Sequence, residues 1–379
     1  MYMRSSYAFA QKITAFSTFL AFMGMGVVDP ILPDIAKQLG ATAWQVELLF
    51  STYILMMAFV MIPAGMLAGK FGDKKIMAFG LFVVALFALL CASAGNITAL
   101  ALFRAGWGYG NAHFFATALI LLIALSPDYH KAVGLFEGAI GFGIASGPLL
   151  GGFVGHYSWR YPFLITGCLS LIAFLLVLVF VQEPPKKNTA RSAGWSDLKA
   201  LFCDVKFLKI SIGALFYYYA FFVVLAYSPL VVPMNPIEIG LLFFGWGVAL
   251  ALGSIVLSDL LERRWRVEKI IPPTLGAFSL VLLALMASDS LTRMAIFIVI
   301  SGLLSGIINS LLTTYVMQSR FERNIVSGGY NFLRWSGAAI APIASGIIGE
   351  HFGAKLPYLL AALGCGIAFY CIVRSRRHG

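Results

Sequence analysis

The sequence predicts an all-α integral membrane protein whose twelve transmembrane helices form two pseudo-symmetric six-helix bundles. Three observations carry that expectation. The 379 residues are 60% hydrophobic and 11% charged, with a mean hydropathy of +0.89, whereas a soluble domain devotes roughly 25% of its residues to charge. Twelve apolar runs follow one another, each near the roughly 20 residues that a helix needs to cross a bilayer core. Special-geometry residues of the first half also recur in the second. Such a composition excludes cytosolic enzymes, secreted disulfide scaffolds and disordered regulators.

The runs lie at 13–33, 46–69, 76–95, 98–125, 132–155, 160–182, 207–233, 238–261, 269–288, 293–319, 324–349 and 355–373. The first begins at Ile13 after Arg4 and Lys12 and ends in Asp29-Pro30-Ile31-Leu32-Pro33, with no small-residue cleavage site. It reads as a membrane span and not as a signal peptide. Between the sixth and seventh runs lies the longest polar connection, with Pro184-Pro185-Lys186-Lys187 and a surface-helix pattern from Trp195 to Phe202. The chain therefore divides into a six-helix bundle at 1–182, a linker at 183–206 and a second six-helix bundle at 207–379.

An even number of spans puts both termini on one side, and the basic residues say which. Of 27 Lys and Arg, 21 fall on the side of the termini and four (Lys37, Arg160, Arg293 and Lys355) on the other. The last two, Arg104 and Arg334, fall inside spans. The expected location is the inner (cytoplasmic) membrane, with both termini cytoplasmic. The net charge of +11 is then an orientation signal, and no nucleic-acid partner is expected. Cys91, Cys168, Cys203, Cys365 and Cys371 form no CxxC pair and no zinc spacing, so no metal and no cofactor are expected.

A shift of 194 residues places Gly134, Gly143, Pro148, Gly152 and Gly155 on Gly328, Gly337, Pro342, Gly346 and Gly349. Glycine lets helices approach closely in a membrane and proline bends them, so spans five and eleven are expected to play equivalent parts in a duplicated unit.

Three stretches carry a family resemblance. The span-five stretch Gly141-Phe142-Gly143-Ile144-Ala145-Ser146-Gly147-Pro148-Leu149-Leu150-Gly151-Gly152, the span-four stretch from Leu102 to Ala112 around Arg104, and the loop from Gly65 to Lys75 resemble motifs of the major facilitator superfamily. Within it they resemble the twelve-span drug:proton antiporters. The resemblance implies the major facilitator fold, with Arg104 linked to proton transfer and Gly147 and Pro148 in the antiporter motif. It also implies a gating loop through Gly65, Gly72, Asp73 and Lys74. The loop departs from the pattern at Gly69, where the family usually has aspartate, and at Asp73, where it usually has arginine. Asp259 and Arg263, four residues apart, are expected to pair and keep a version of the relay in the second half.

Ionisable groups within the hydrocarbon region cost roughly 2.5–3.5 kcal/mol even on the lenient insertion scale. Asp29, Arg104, Glu137 and Arg334 therefore each require a reason. Asp29 and Arg104 lie at similar depth below the outer boundary, which allows an ion pair that protonation of Asp29 would release. Glu137 shares a helical stripe with Gly141, Ile144, Pro148 and Gly151, and a carboxylate on that seam could take up a proton. Arg334 lies near the midplane, with Asn331 one turn before it. It either receives an anionic group or pairs with a carbonyl or an acid across the seam. His113, rotated away from Arg104, reads as a packed neutral side chain. Cargo contacts are expected from Arg334, Asn331, Asn111, Tyr218 and Phe222.

The lysine of Gly65-Met66-Leu67-Ala68-Gly69-Lys70-Phe71 has the wrong spacing for a phosphate loop, and no catalytic motif is present, so neither an ATP-driven pump nor an enzyme is expected. The expected function is proton-coupled export of small amphipathic compounds by alternating access. The partners are then a small-molecule substrate, protons and the lipid bilayer, and the chain is expected to act as a monomer. An exporter of an anionic metabolite or siderophore is an alternative, and a channel or membrane receptor is one of another class.

Overall fold

The computed structural model describes residues 2–41, 43–182, 195–234 and 236–375. Twelve long helices run α1 Tyr2–Gly26, α2 Ala43–Phe71, α3 Asp73–Ser93, α4 Ile97–Leu125, α5 Tyr129–Gly155 and α6 Arg160–Phe180 in the first half. The second half holds α7 Val205–Tyr227, α8 Glu238–Glu262, α9 Val267–Ala287, α10 Leu291–Met317, α11 Arg323–Phe352 and α12 Leu356–Ser375. No strand occurs among the described residues. Most of the expected linker, 183–194, lies outside them; its end forms the short helix Trp195–Cys203, with Leu201 buried and packed beside Gly329 of α11.

The two halves repeat each other's packing. In the first, α4 packs on α2 and α3, α6 on α3, and α1 on α5 and α6; in the second, α10 packs on α8 and α9, α12 on α9, and α7 on α11 and α12. Across the seam α2 meets α11, and its symmetry equivalent α8 meets α5. Small residues make that approach close. A Cβ on Gly134 would stand 2.5 Å from the Ser254 carbonyl oxygen, so the α5–α8 contact needs glycine there. Large apolar side chains such as Phe59, Leu102, Phe153 and Leu280 stand exposed on the outside, as a surface bathed in lipid tails requires.

Eleven helices among the described residues are long and apolar enough to cross a membrane, and α1 is not one of them. At about 37 Å it has the length, but Gln11, Lys12, Thr14, Ser17 and Thr18 interrupt its apolar run. Thr14 and Thr18 are buried and donate to the carbonyls of Ala10 and Thr14, so these polar groups are turned inward and satisfied within the helix. The expected first span, 13–33, is also misplaced. The helix stops at Gly26, a one-turn 3-10 helix follows at Asp29–Ile31, and a short helix takes up Leu32–Leu39. Pro30 lacks the N–H that would continue the ladder, so α1 stops at Gly26, whereas Pro33 sits in the first turn of the short helix, where a missing N–H is tolerated.

The end where α1 begins and α12 finishes is the basic one. There Lys74 donates to the Leu178 carbonyl at 3.0 Å and Lys209 to that of Arg374 at 3.3 Å. At the opposite end Lys355 hydrogen-bonds and pairs with Asp289, holding that carboxyl below the usual carboxylate range.

Candidate functional site

Glu137, eight residues into α5, is fully buried, and so is Arg334, eleven residues into α11. Arg334 Nη1 donates to Glu137 Oε1 at 3.0 Å. The same oxygen accepts from Thr313 Oγ1 of α10 at 2.7 Å. The arginine is sandwiched by aromatic faces, with the Tyr218 and Tyr330 ring centres 4.9 and 5.2 Å from its guanidinium. Glu137 belongs to the first half and its partners to the second, so the ion pair crosses the seam. Of the alternatives open for Arg334, the structure selects the acid. Removing either partner from a buried pair leaves an uncompensated charge, at a cost of roughly 3–5 kcal/mol.

Asn331, one turn before Arg334, donates to Ser327 Oγ at 3.3 Å, and its carbonyl oxygen has no partner among the described residues. Tyr218 and Phe222 both face Trp335, with ring centres 5.8 Å away in each case. Trp335 lies nearly parallel to Phe115 of α4, at 6.3 Å and 9°, and to Phe22 of α1, at 6.0 Å and 20°. Phe22 and Phe115 themselves stack at 4.2 Å. Four helices from both halves thus converge on an aromatic cluster beside the ion pair.

The other expected residues sit elsewhere. Arg104 is buried in the first half, where Nε donates to the Leu49 carbonyl at 3.4 Å. Its guanidinium lies over Tyr53, Trp107 and Phe50 at 4.4, 5.0 and 5.9 Å. The side chain of Asp29 lies outside the described residues, and with it the expected Asp29–Arg104 pair. Asn111 is turned to Tyr53, whose hydroxyl accepts from its amide, and so packs α4 on α2. His113 is buried, with Nδ1 2.9 Å from the Tyr109 carbonyl and an edge-on contact to Phe79.

At the basic end Gly72 has φ +102, a left-handed conformation that turns the chain between α2 and α3, and Asp73 is buried beside it at the start of α3. Gly65 lies inside α2. Gly147 lies against α1, where a Cβ would stand 2.6 Å from the Met23 carbonyl oxygen, and Pro148 packs beside Gly26. Arg263 Nη2 and Asp259 Oδ2 pair at 2.7 Å. The halves are closed here. Tyr129 donates to the Thr314 carbonyl at 2.8 Å, His130 pairs with Glu262, and the guanidinium of Arg323 lies 5.9 Å from the Tyr129 ring centre. His113 to Ile123 of α4 and Ser305 to Met317 of α10 are continuously buried.

Sequence reasoning missed Thr313, Tyr330, Trp335, Phe22, Phe115 and the His130–Glu262 contact. Tyr330 was within reach, since it stands one helical turn before Arg334. The others depend on which helices adjoin, and no local pattern carries that.

Comparison with known proteins agrees with this architecture. The family model of the Major Facilitator Superfamily matches residues 14–342 and 234–378. The multidrug efflux protein YfmO of Bacillus subtilis is 35% identical over 367 residues, spanning 96% of this chain and 92% of that protein. The quinolone resistance protein NorA of Staphylococcus aureus is 27% identical, with 96% of each chain covered. Among solved structures, the E. coli fucose:proton symporter FucP superposes with a TM-score of 0.79 at 16% identity, covering 98% of this chain and 99% of that one. The human organic anion transporter MFSD10 gives 0.81 at 13% identity, covering 97% and 99%. At such identities the structural likeness speaks for the fold alone.

Proposed function

Because the chain belongs to the Major Facilitator Superfamily, we propose that it is a proton-coupled exporter of small amphipathic compounds working by alternating access. The single observation that carries this reading is the buried Glu137–Arg334 pair between the two halves. While Glu137 is ionised, the pair and the Thr313 hydrogen bond hold α5 to α10 and α11. Protonation cancels the attraction and leaves Arg334 buried without a countercharge, a state that favours parting of the halves at this level. One proton is thereby converted into a change of packing between two bundles. Cargo enters beside the pair, where Trp335, Phe22, Phe115, Tyr218 and Phe222 offer flat apolar faces. Asp29, which the sequence puts at a depth similar to that of Arg104, serves as a second proton site.

On the positive-inside rule the basic end faces the cytoplasm, which supports a place in the cytoplasmic membrane. The outward direction rests on YfmO, named a multidrug efflux protein, with NorA, named for quinolone resistance, as a second relative. Family membership and the paired halves support a carrier over a channel or receptor. Export of an anionic metabolite or siderophore is the second reading, favoured by the midplane cation of Arg334. It requires Glu137 to be protonated first, since the carboxylate otherwise neutralises that cation. Glu137→Gln in everted vesicles is the test. Loss of pH-gradient-driven transport with normal membrane insertion is expected, and unchanged coupling removes Glu137 from the mechanism.

A further inference from the structure

One face of α10 carries Ser301, Ser305, Asn309 and Thr313 at four-residue intervals, which stacks them along about 18 Å of the helix. All four are buried. Thr313 meets Glu137, and Ser301 donates to the Ile298 carbonyl at 2.6 Å. Asn309 differs. Its residue exposure is 1%, yet neither its amide nitrogen nor its oxygen has a hydrogen-bond partner among the described residues, and the Ser305 hydroxyl is in the same condition. Glu137 Oε2, the oxygen that Thr313 and Arg334 leave alone, also lacks one.

Burying an unsatisfied amide is unfavourable, and a leucine would fill the position without that cost. Water is the partner that fits, since a buried molecule makes about three hydrogen bonds to such groups. Around Glu137 the other charged or titratable groups are Arg334 and Tyr330 of α11 and Tyr217 and Tyr218 of α7. Toward the basic end the way is shut by Tyr129 on Thr314 and by buried Val133, Phe136, Leu311 and Leu312. In this closed arrangement the polar face of α10 leads from Glu137 toward the centre of the molecule.

We propose that Asn309 is a positioning residue of a hydrated proton path running along Ser305, Asn309 and Thr313 to Glu137. The inference rests on the reading that Glu137 carries the transported proton. In the transfer, a hydronium held by the Asn309 amide gives one proton to Glu137 Oε2. An O–H bond forms on the carboxyl, one breaks on the hydronium, and a neutral water stays at Asn309. Thr313 keeps Oε1 in place throughout.

The test needs no cargo. The full chain in nanodiscs is subjected to a rapid drop in pH while the carboxylic C=O stretch is followed by time-resolved infrared spectroscopy, with Glu137→Gln identifying the Glu137 band. Asn309→Leu is expected to slow the rise of that band at least tenfold while leaving its titration midpoint in place. Asn309→Ser, which keeps a polar group and leaves space for water, is expected to stay within twofold of the parent. A leucine variant as fast as the parent, or a serine variant as slow as the leucine one, overturns the proposal. Should the leucine protein fail to fold, Asn309→Val is read in its place by the same criteria. If Glu137→Gln removes no band, it is the proton-site reading of Glu137 that fails.

Discussion

Two arginines are buried among the described residues, and they are held in different ways. Arg104 rests on the faces of Tyr53, Trp107 and Phe50, and its Nε meets the Leu49 carbonyl, all within the first half. Arg334 shares aromatic company in Tyr218 and Tyr330, but its carboxylate belongs to the other half. A cation satisfied inside one bundle travels with that bundle as a rigid body. A cation satisfied across the seam has to change partners whenever the bundles tip. The second arrangement can couple a proton to movement, and the described contacts of the first hold a bundle together.

The largest expected effect follows from that difference. Arg334→Gln leaves Glu137 buried without its partner, at a cost of roughly 3–5 kcal/mol, and abolishes pH-gradient-driven transport. The double variant Glu137→Gln with Arg334→Gln recovers most of the thermal stability and none of the coupling. A melting curve beside a vesicle transport assay checks both, and a double variant that still couples breaks the comparison. Thr313→Val comes next. It removes one charge-assisted hydrogen bond, worth roughly 1.5–3 kcal/mol, and is expected to lower coupled transport about tenfold while the protein still folds. Transport at the parental rate would show that Glu137 does not depend on the hydroxyl.

Arg104→Lys keeps the charge but loses the flat stacking surface. A stability loss of about 0.5–2 kcal/mol is expected, because a lysine sits less well over three rings. The ratio of protons moved per cargo should stay unchanged when both fluxes are measured together. Loss of coupling as complete as that of Arg334→Gln would erase the distinction between the two arginines.

The same contrast separates what the sequence disclosed from what it withheld. Local regularities were legible. The apolar runs located the helices, and the glycines and prolines repeated at 194 residues marked α5 and α11 as equivalent. The cost of burial singled out Glu137 and Arg334 before any partner was known. The Asp259–Arg263 pair was legible too, because its spacing lies within one helix. Partners across the seam were not. Thr313 and Trp335 sit on helices whose adjacency to α5, α1 and α4 follows from how twelve rods assemble, and a hydroxyl or an indole in an apolar run has no periodic signature. The end of α1 was misjudged for a local reason: Pro30 cannot continue the ladder, so the helix stops at Gly26 although apolar residues run on beyond it.

The smallest effect lies at the basic end. Asp259→Asn removes an i,i+4 pair whose arginine is largely exposed. About 0.3–0.5 kcal/mol is expected, with transport close to the parental rate. A large loss of transport would move the coupling function from the seam to this loop.

The central claim is that the charge of Glu137 sets how the two halves stand to each other. Spin labels at Tyr157, just past α5, and at Phe352, at the end of α11, are both well exposed and lie in different halves. Their separation, measured by double electron–electron resonance between neutral and acidic pH, tests it without any cargo. The account predicts a distance distribution that shifts with pH in the parent and stays at the acidic distribution at every pH in Glu137→Gln. A Glu137→Gln protein that shifts with pH as the parent does would contradict it.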